Sequence, residues 1–261
     1  MNKLPILMYH RIESSECPVF DREEHRYAIG LEEFAWQMKF IDRAGLQCIT
    51  VSEAVDGIRA GALPKGRIVL TFDDGNRSDV VHALPMLATR GFRATFFVNM
   101  NTIEKPDGLD ASMIRKLADR GMEIGSHGMT HRFLTVLAEQ EQRIEIETSR
   151  EALGGIAGRE VRAFSPPGGR MHKQSIEIVK ASSYASICSS RFGFNDTSSD
   201  PFRLKRIPIT SRTGRADFAA IVRGNRMMLA RHYAKAYAVW CARIALGESI
   251  YRRSRSKILW E

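Results

Sequence analysis

The sequence predicts an α/β fold of parallel strands joined by helical crossovers, and three observations carry that prediction. Short apolar runs rich in β-branched residues alternate with stretches of helical period along most of the chain. Polar clusters capable of chemistry stand at the ends of two of those runs, as happens where strand C-termini share one rim. The length, 261 residues, suits a single α/β barrel with a substantial core. The composition shows neither disorder nor low complexity, and no internal repeat stands out.

Ile6 to Tyr9 reads as the first strand, ending at His10. Residues 11 to 29 are polar and irregular. Leu31, Phe34, Met38 and Ile41 then mark one face of a helix that stops near Gly45. Cys48 to Val51 is a short strand, and Ser52 is placed to cap a helix running to Gly61. Ile68, Val69 and Leu70 form a strand bounded by Gly66 and Gly75. A helix containing Val80, Leu84 and Leu87 follows, then a strand from Ala94 to Val98. A helix from Ala111 to Arg120 leads through Gly121 to a strand over Met122 to Ile124. A long helix from Glu139 to Leu153 precedes the strand Val161 to Phe164, and a helix from Ser175 to Ala181 precedes Tyr184 to Cys188. This order favours parallel strands with helical crossovers.

The two polar clusters carry the chemistry. Thr71-Phe72-Asp73-Asp74-Gly75 closes one strand, and Ser126-His127-Gly128-Met129-Thr130-His131 follows another. Successive strand side chains point to opposite faces, so Asp73 and Asp74 cannot share one duty: one can bind an ion while the other takes a proton beside it. His127 and His131 are four apart, the spacing that puts two imidazoles on one face of a helical turn. Alone, Asp-Asp-Gly is a turn and His-x-x-x-His a solvated helix face. Together at strand ends they make an open-sided set of two imidazoles and a carboxylate, suited to zinc or another divalent transition metal.

At these residues the chain resembles the polysaccharide deacetylases, carbohydrate esterases of family 4 with a NodB homology domain. Thr71-Phe72-Asp73-Asp74-Gly75, Ser126-His127 with His131, and Phe164-Ser165-Pro166-Pro167-Gly168-Gly169 carry the resemblance, which extends from Pro5 to Ile209. It implies a distorted (β/α) barrel and an enzyme that removes acetyl groups from glycans. It also implies that Asp73 is the catalytic base and that Asp74, His127 and His131 hold the metal, zinc first, with cobalt, nickel or iron as alternatives. Met8-Tyr9-His10 is similar to the N-terminal Tyr-His motif of the exopolysaccharide type, which makes His10 the proton donor to the leaving amine. A backbone N–H at Gly168 would face the substrate oxyanion, since glycine allows close approach. The family motif usually begins with an Arg that orients the catalytic Asp, whereas this chain has Ser165; Arg162 or Arg170 could compensate. The family's supporting Asp has only Asp196 and Asp200 as weak counterparts.

The expected reaction is therefore hydrolysis of an N-acetyl group on an amino sugar of a polysaccharide or lipid-linked glycan. An O-acetyl esterase or another small-amide hydrolase is the rival within hydrolases, and a glycan-binding pseudoenzyme the rival outside them.

Charge and cysteines bound the rest. The net charge is +9, and residues 223–261 contain nine Lys or Arg against Glu248 and Glu261, so this tail supplies +7 of it. Basic residues gathered in a terminal appendage do not favour a nucleic-acid partner. Within the tail, Tyr233, Tyr237, Trp240 and Ile244 form a helical stripe flanked by Arg231, Lys235 and Arg243. That pattern fits a helix packed on the barrel, or an amphipathic helix lying on an anionic membrane surface. The chain thus divides into a catalytic domain, 1–222, and a basic helical tail, 223–261. Cys17, Cys48, Cys188 and Cys241 lie far apart and read as reduced thiols, mostly in the core. The apolar segment Leu4 to Tyr9, interrupted by Pro5, is too short for a signal or a membrane span, which favours a cytoplasmic protein or one peripheral to the cytosolic face.

Overall fold

A computed structural model describes residues 3–16, 26–225 and 230. Its strands are β1 (Ile6–Tyr9), β2 (Arg11–Glu13), β3 (Ala28–Gly30), β4 (Gln47–Ile49), β5 (Arg67–Asp74), β6 (Thr95–Val98), β7 (Glu123–Ser126), β8 (Ala163–Phe164), β9 (Ser186–Phe192) and β10 (Leu204–Pro208). All pairings between these strands are parallel. Seven of them, in the order β1-β10-β9-β8-β7-β6-β5, close into a barrel because β1 pairs with both β10 and β5. Val69 faces Ile6 across one edge of β5 and Ile49 across the other, so β4 and β6 share that second edge. Such a sheet is buried on both faces, which explains runs such as Ile68-Val69-Leu70 with no polar alternation.

The alternation persists in which core each residue joins. Ile6, Val69, Phe97, Ala163, Cys188 and Leu204 fall in one buried cluster, the barrel interior. Their strand neighbours Leu7, Leu70, Phe96, Phe164 and Ile187 fall in the other, beneath the surrounding helices. Tyr9, Phe72 and Phe96 stack side by side across β1, β5 and β6, with centroids 5.2 and 4.7 Å apart. Each such pair adds about 0.5–1.5 kcal/mol beyond area burial and fixes these strands just below their C-terminal ends.

Helix Val51–Arg59 closes the barrel floor. Val51, Ala54, Val55 and Ile58 join the interior cluster, while Ser52 bonds Glu123 at the start of β7, Asp56 pairs with Arg162 just before β8, and Arg59 donates to the carbonyl of Ala185 just before β9. The cap is Thr50, in a capping box with Glu53, and not Ser52, whose hydroxyl goes to Glu123 instead.

Most expected elements are present with ends shifted by up to four residues, as in β9, which runs on to Phe192. The exceptions are β2 and β3, a separate parallel pair within the segment expected to be irregular, and β10, which had no counterpart among the expected strands. β2 and β3 have three residues each, too few to display a period. Helix Arg215–Val222 completes the described outer layer by packing Phe218 against Trp36 and Phe40. Cys48 and Cys188 are buried free thiols; Cys17 and Cys241 lie outside the described residues, as does nearly all of the basic tail. Among the described residues no helix is long and apolar enough to cross a membrane.

Candidate active site

Parallel strands bring their C-terminal ends to one rim, and the predicted residues meet there. β5 delivers Asp73 and Asp74 in opposite ways. Asp73 follows the pleat into the barrel and is 2% exposed. Asp74 has φ 81°, a left-handed backbone that breaks the alternation and turns its carboxylate toward the histidines. Its Oδ1 lies 3.4 Å from His127 Nε2 and 3.2 Å from His131 Nε2.

The histidines converge by a route different from the one their spacing suggests. Residues 127–133 form a loop; Gly128 at φ 82° and His131 at φ 65° are incompatible with a right-handed helical turn. Glu145 holds this loop, accepting from the backbone N–H groups of Met129 at 2.7 Å and Thr130 at 3.0 Å and from the Thr130 hydroxyl.

The donor set fits a divalent metal. One ligand atom from each of Asp74, His127 and His131 lies within 4.8 Å of the others. His127 Nδ1 is 2.6 Å from the carbonyl oxygen of Ser165; an oxygen there can only accept, so the ring proton sits on Nδ1 and Nε2 offers its lone pair toward Asp74. Burial alone would raise the Asp74 pKa, but the two imidazoles facing it outweigh that and hold the carboxyl well below its usual range. Contact with Asp74 in turn raises His131 against its partial burial.

A cavity of about 250 Å³ opens above this set, lined by His10, Asp74 and His131 together with Arg11, Tyr27, Asn76, Asn101 and Thr102. The His10 ring packs tilted against Tyr27, centroids 4.7 Å apart, and its Nδ1 has no hydrogen-bond partner among the described residues. Its pKa is lowered, chiefly by burial. Asn76 ties the two strand ends together by donating to the carbonyls of His10 and Asp73, each at 3.2 Å. Gly168 does not line this cavity. It sits in the turn Pro167–Gly169 at φ 64°, where a Cβ would stand 2.6 Å from the Phe133 ring.

Sequence reasoning missed Arg206. This β10 residue is 1% exposed and grips Asp73 with two parallel bonds, Nη1 to Oδ1 at 2.7 Å and Nη2 to Oδ2 at 2.8 Å. Burial opposes the charge on Asp73, yet the Arg206 guanidinium lowers its pKa on balance. Neither expected substitute is involved: Arg162 pairs with Asp56 on the floor, and Arg170 covers the Phe133 ring. Asp196 and Asp200 are turn residues bonded to Ser198 and Phe202, and among the described residues the side chains on the Asp73 carboxylate are Arg206 and Ser165 instead. The available signal was the alternation of Leu204 and Arg206, buried, with Lys205, exposed.

A profile of the polysaccharide deacetylase family matches residues 60–187. The Bacillus subtilis protein YxkH, whose name places it with the polysaccharide deacetylases, is 26% identical over 221 residues, 84% of this chain and 76% of its own. A peptidoglycan-N-acetylglucosamine deacetylase of Bacillus cereus is 28% identical over 152 residues, 58% of this chain and 54% of its own. Among solved structures, the deacetylase PplD of Streptococcus pyogenes superposes with a TM-score of 0.77 at 22% identity, covering 84% of this chain and 98% of that one.

Proposed function

Since the chain belongs to the polysaccharide deacetylase family, we propose that it hydrolyses the acetamide of an N-acetylated amino sugar within a glycan, giving acetate and a free amine. The observation that carries this reading is the convergence of Asp74, His127 and His131 beside buried Asp73, under a cavity open to substrate. The choice of an amino sugar over an O-acetyl ester is supported by the Bacillus cereus relative, which is named for N-acetylglucosamine.

Asp74, His127 and His131 would hold a divalent ion, zinc first for a set of two nitrogens and one oxygen, and the ion would supply Lewis acidity toward the acetyl carbonyl and water. Asp73 takes the proton from the attacking water. Its ionised, fixed carboxylate keeps free lone pairs beyond those Arg206 occupies. His10 gives a proton to the departing amine; it lines the same cavity as Asp74 and His131 and has a ring nitrogen without a partner among the described residues.

Acetate release from N-acetylglucosamine oligomers, measured with zinc or cobalt added to chelator-treated protein, tests the reading. Release should require the metal, and Asp73→Asn should reduce it by at least about 100-fold, the low end of general-base contributions. An Asp73→Asn protein of normal activity would sink the assignment, and release only from O-acetylated glycans would move the substrate class.

A further inference from the structure

Arg206 uses all five of its N–H donors. Nε donates to the carbonyl of Ser189 at 3.1 Å, Nη1 to Thr71 Oγ1 at 3.3 Å and Asp73 Oδ1 at 2.7 Å, and Nη2 to Asp73 Oδ2 at 2.8 Å and Ser165 Oγ at 2.9 Å. The partners come from β5, β9 and the end of β8, and the guanidinium lies 5.5 Å from the Phe97 ring centroid. A planar fork with every donor engaged cannot rotate, so the carboxylate it grips cannot rotate either. Ser165 Oγ touches the same guanidinium and lies 3.5 Å from Asp73 Oδ2. An Arg at 165 would seek that same space. Two guanidinium groups on one buried carboxylate would leave a cation unpaired, which burial forbids.

We propose that Arg206 is the positioning residue for Asp73, supplied from β10, and that Ser165 is its obligate small neighbour: the orienting guanidinium has exchanged strands. The inference rests on Asp73 acting as proposed above.

The test uses full-length, zinc-loaded Arg206→Lys, Arg206→Ser and the double variant Ser165→Arg/Arg206→Ser, assayed for acetate release from N-acetylglucosamine oligomers, with zinc affinity by calorimetry and thermal unfolding alongside. Arg206→Lys keeps the charge and loses the fork. It should lose about 100-fold in kcat, the scale of a small misplacement of a reacting group, with KM and zinc affinity held within about threefold. The double variant should recover at least about tenfold over Arg206→Ser. Arg206→Lys with kcat within about threefold of wild type overturns the proposal, and so does a kcat loss matched by loss of zinc affinity. A folded double variant no more active than Arg206→Ser overturns the exchange. If Arg206→Ser does not fold, Arg206→Lys decides alone. Activity retained in Asp73→Asn would instead strike the underlying reading, so the two failures are distinguishable.

Discussion

Two of the three clustered donor residues stand on backbone that L-residues seldom adopt, Asp74 at φ 81° and His131 at φ 65°. Each such position costs on the order of 1–3 kcal/mol and persists because its surroundings over-determine it. For Asp74 the surroundings are visible: its carbonyl accepts from Thr102 Oγ1 at 2.7 Å and from the Asn99 N–H at 3.4 Å. The strain is what turns a residue that would otherwise face the outer core toward the histidines. His127, buried and fixed by Ser165, contributes a donor without strain. His127→Ala should therefore lower zinc affinity by more than about 100-fold, beyond the range for residues that only support a ligand, as calorimetry would show. These donors were legible in the sequence because each motif is local, with carboxylates adjacent and histidines four apart. Arg206 was not, because its partner Asp73 lies 133 residues away and only closure of the barrel brings them together.

Among the elements, the segment from Glu139 to Leu153 was expected as one long helix, and its departure from that form bears on the site. Ile144–Thr148 is wound as a wide π turn between two α-helical segments. Glu145 lies in that turn, 4% exposed, with its carboxylate against the loop between the histidines. A Cβ on Gly128 would come within 2.8 Å of the same carboxylate, so the loop's glycine and the turn's glutamate fit one another. Glu145→Gln should leave the protein folded and lower zinc affinity by about 10- to 100-fold, less than loss of a ligand, as expected for a group that orients ligands from behind. Affinity equal to wild type would show that the loop holds itself. Periodicity revealed this helix but not its π turn, since the apolar spacing of a single wide turn is too short to register. β10 escaped for a related reason: its buried Arg206 occupies a position where a reader of patterns looks for an apolar residue.

For the molecule as a whole, the floor and the rim have separate tasks. Glu123 is partly buried in the floor, accepting from Ser52 and from Thr95 Oγ1 at 2.6 Å, and desolvation raises its pKa above the ordinary 4.5 despite those bonds and nearby Arg162. A raised folded-state pKa means the native state binds more protons than the unfolded chain above pH 4.5, so this group's contribution to stability falls as pH rises from there. The melting temperature of Glu123→Gln relative to wild type should accordingly climb between about pH 4.5 and neutrality; a difference flat with pH would refute the sign. The chain leaves the described barrel at this same end, where Lys3 Nζ, just before β1, bonds the Gly224 carbonyl at 2.9 Å. If 1–222 and 223–261 are separate units, deletion after Asn225 should keep the melting temperature within about 2 °C of wild type, since no barrel strand is touched. Among the described residues the floor is closed and the cavity beside Asp74 and His131 opens at the rim, so under the proposed reaction acetate would leave on the side where the glycan entered.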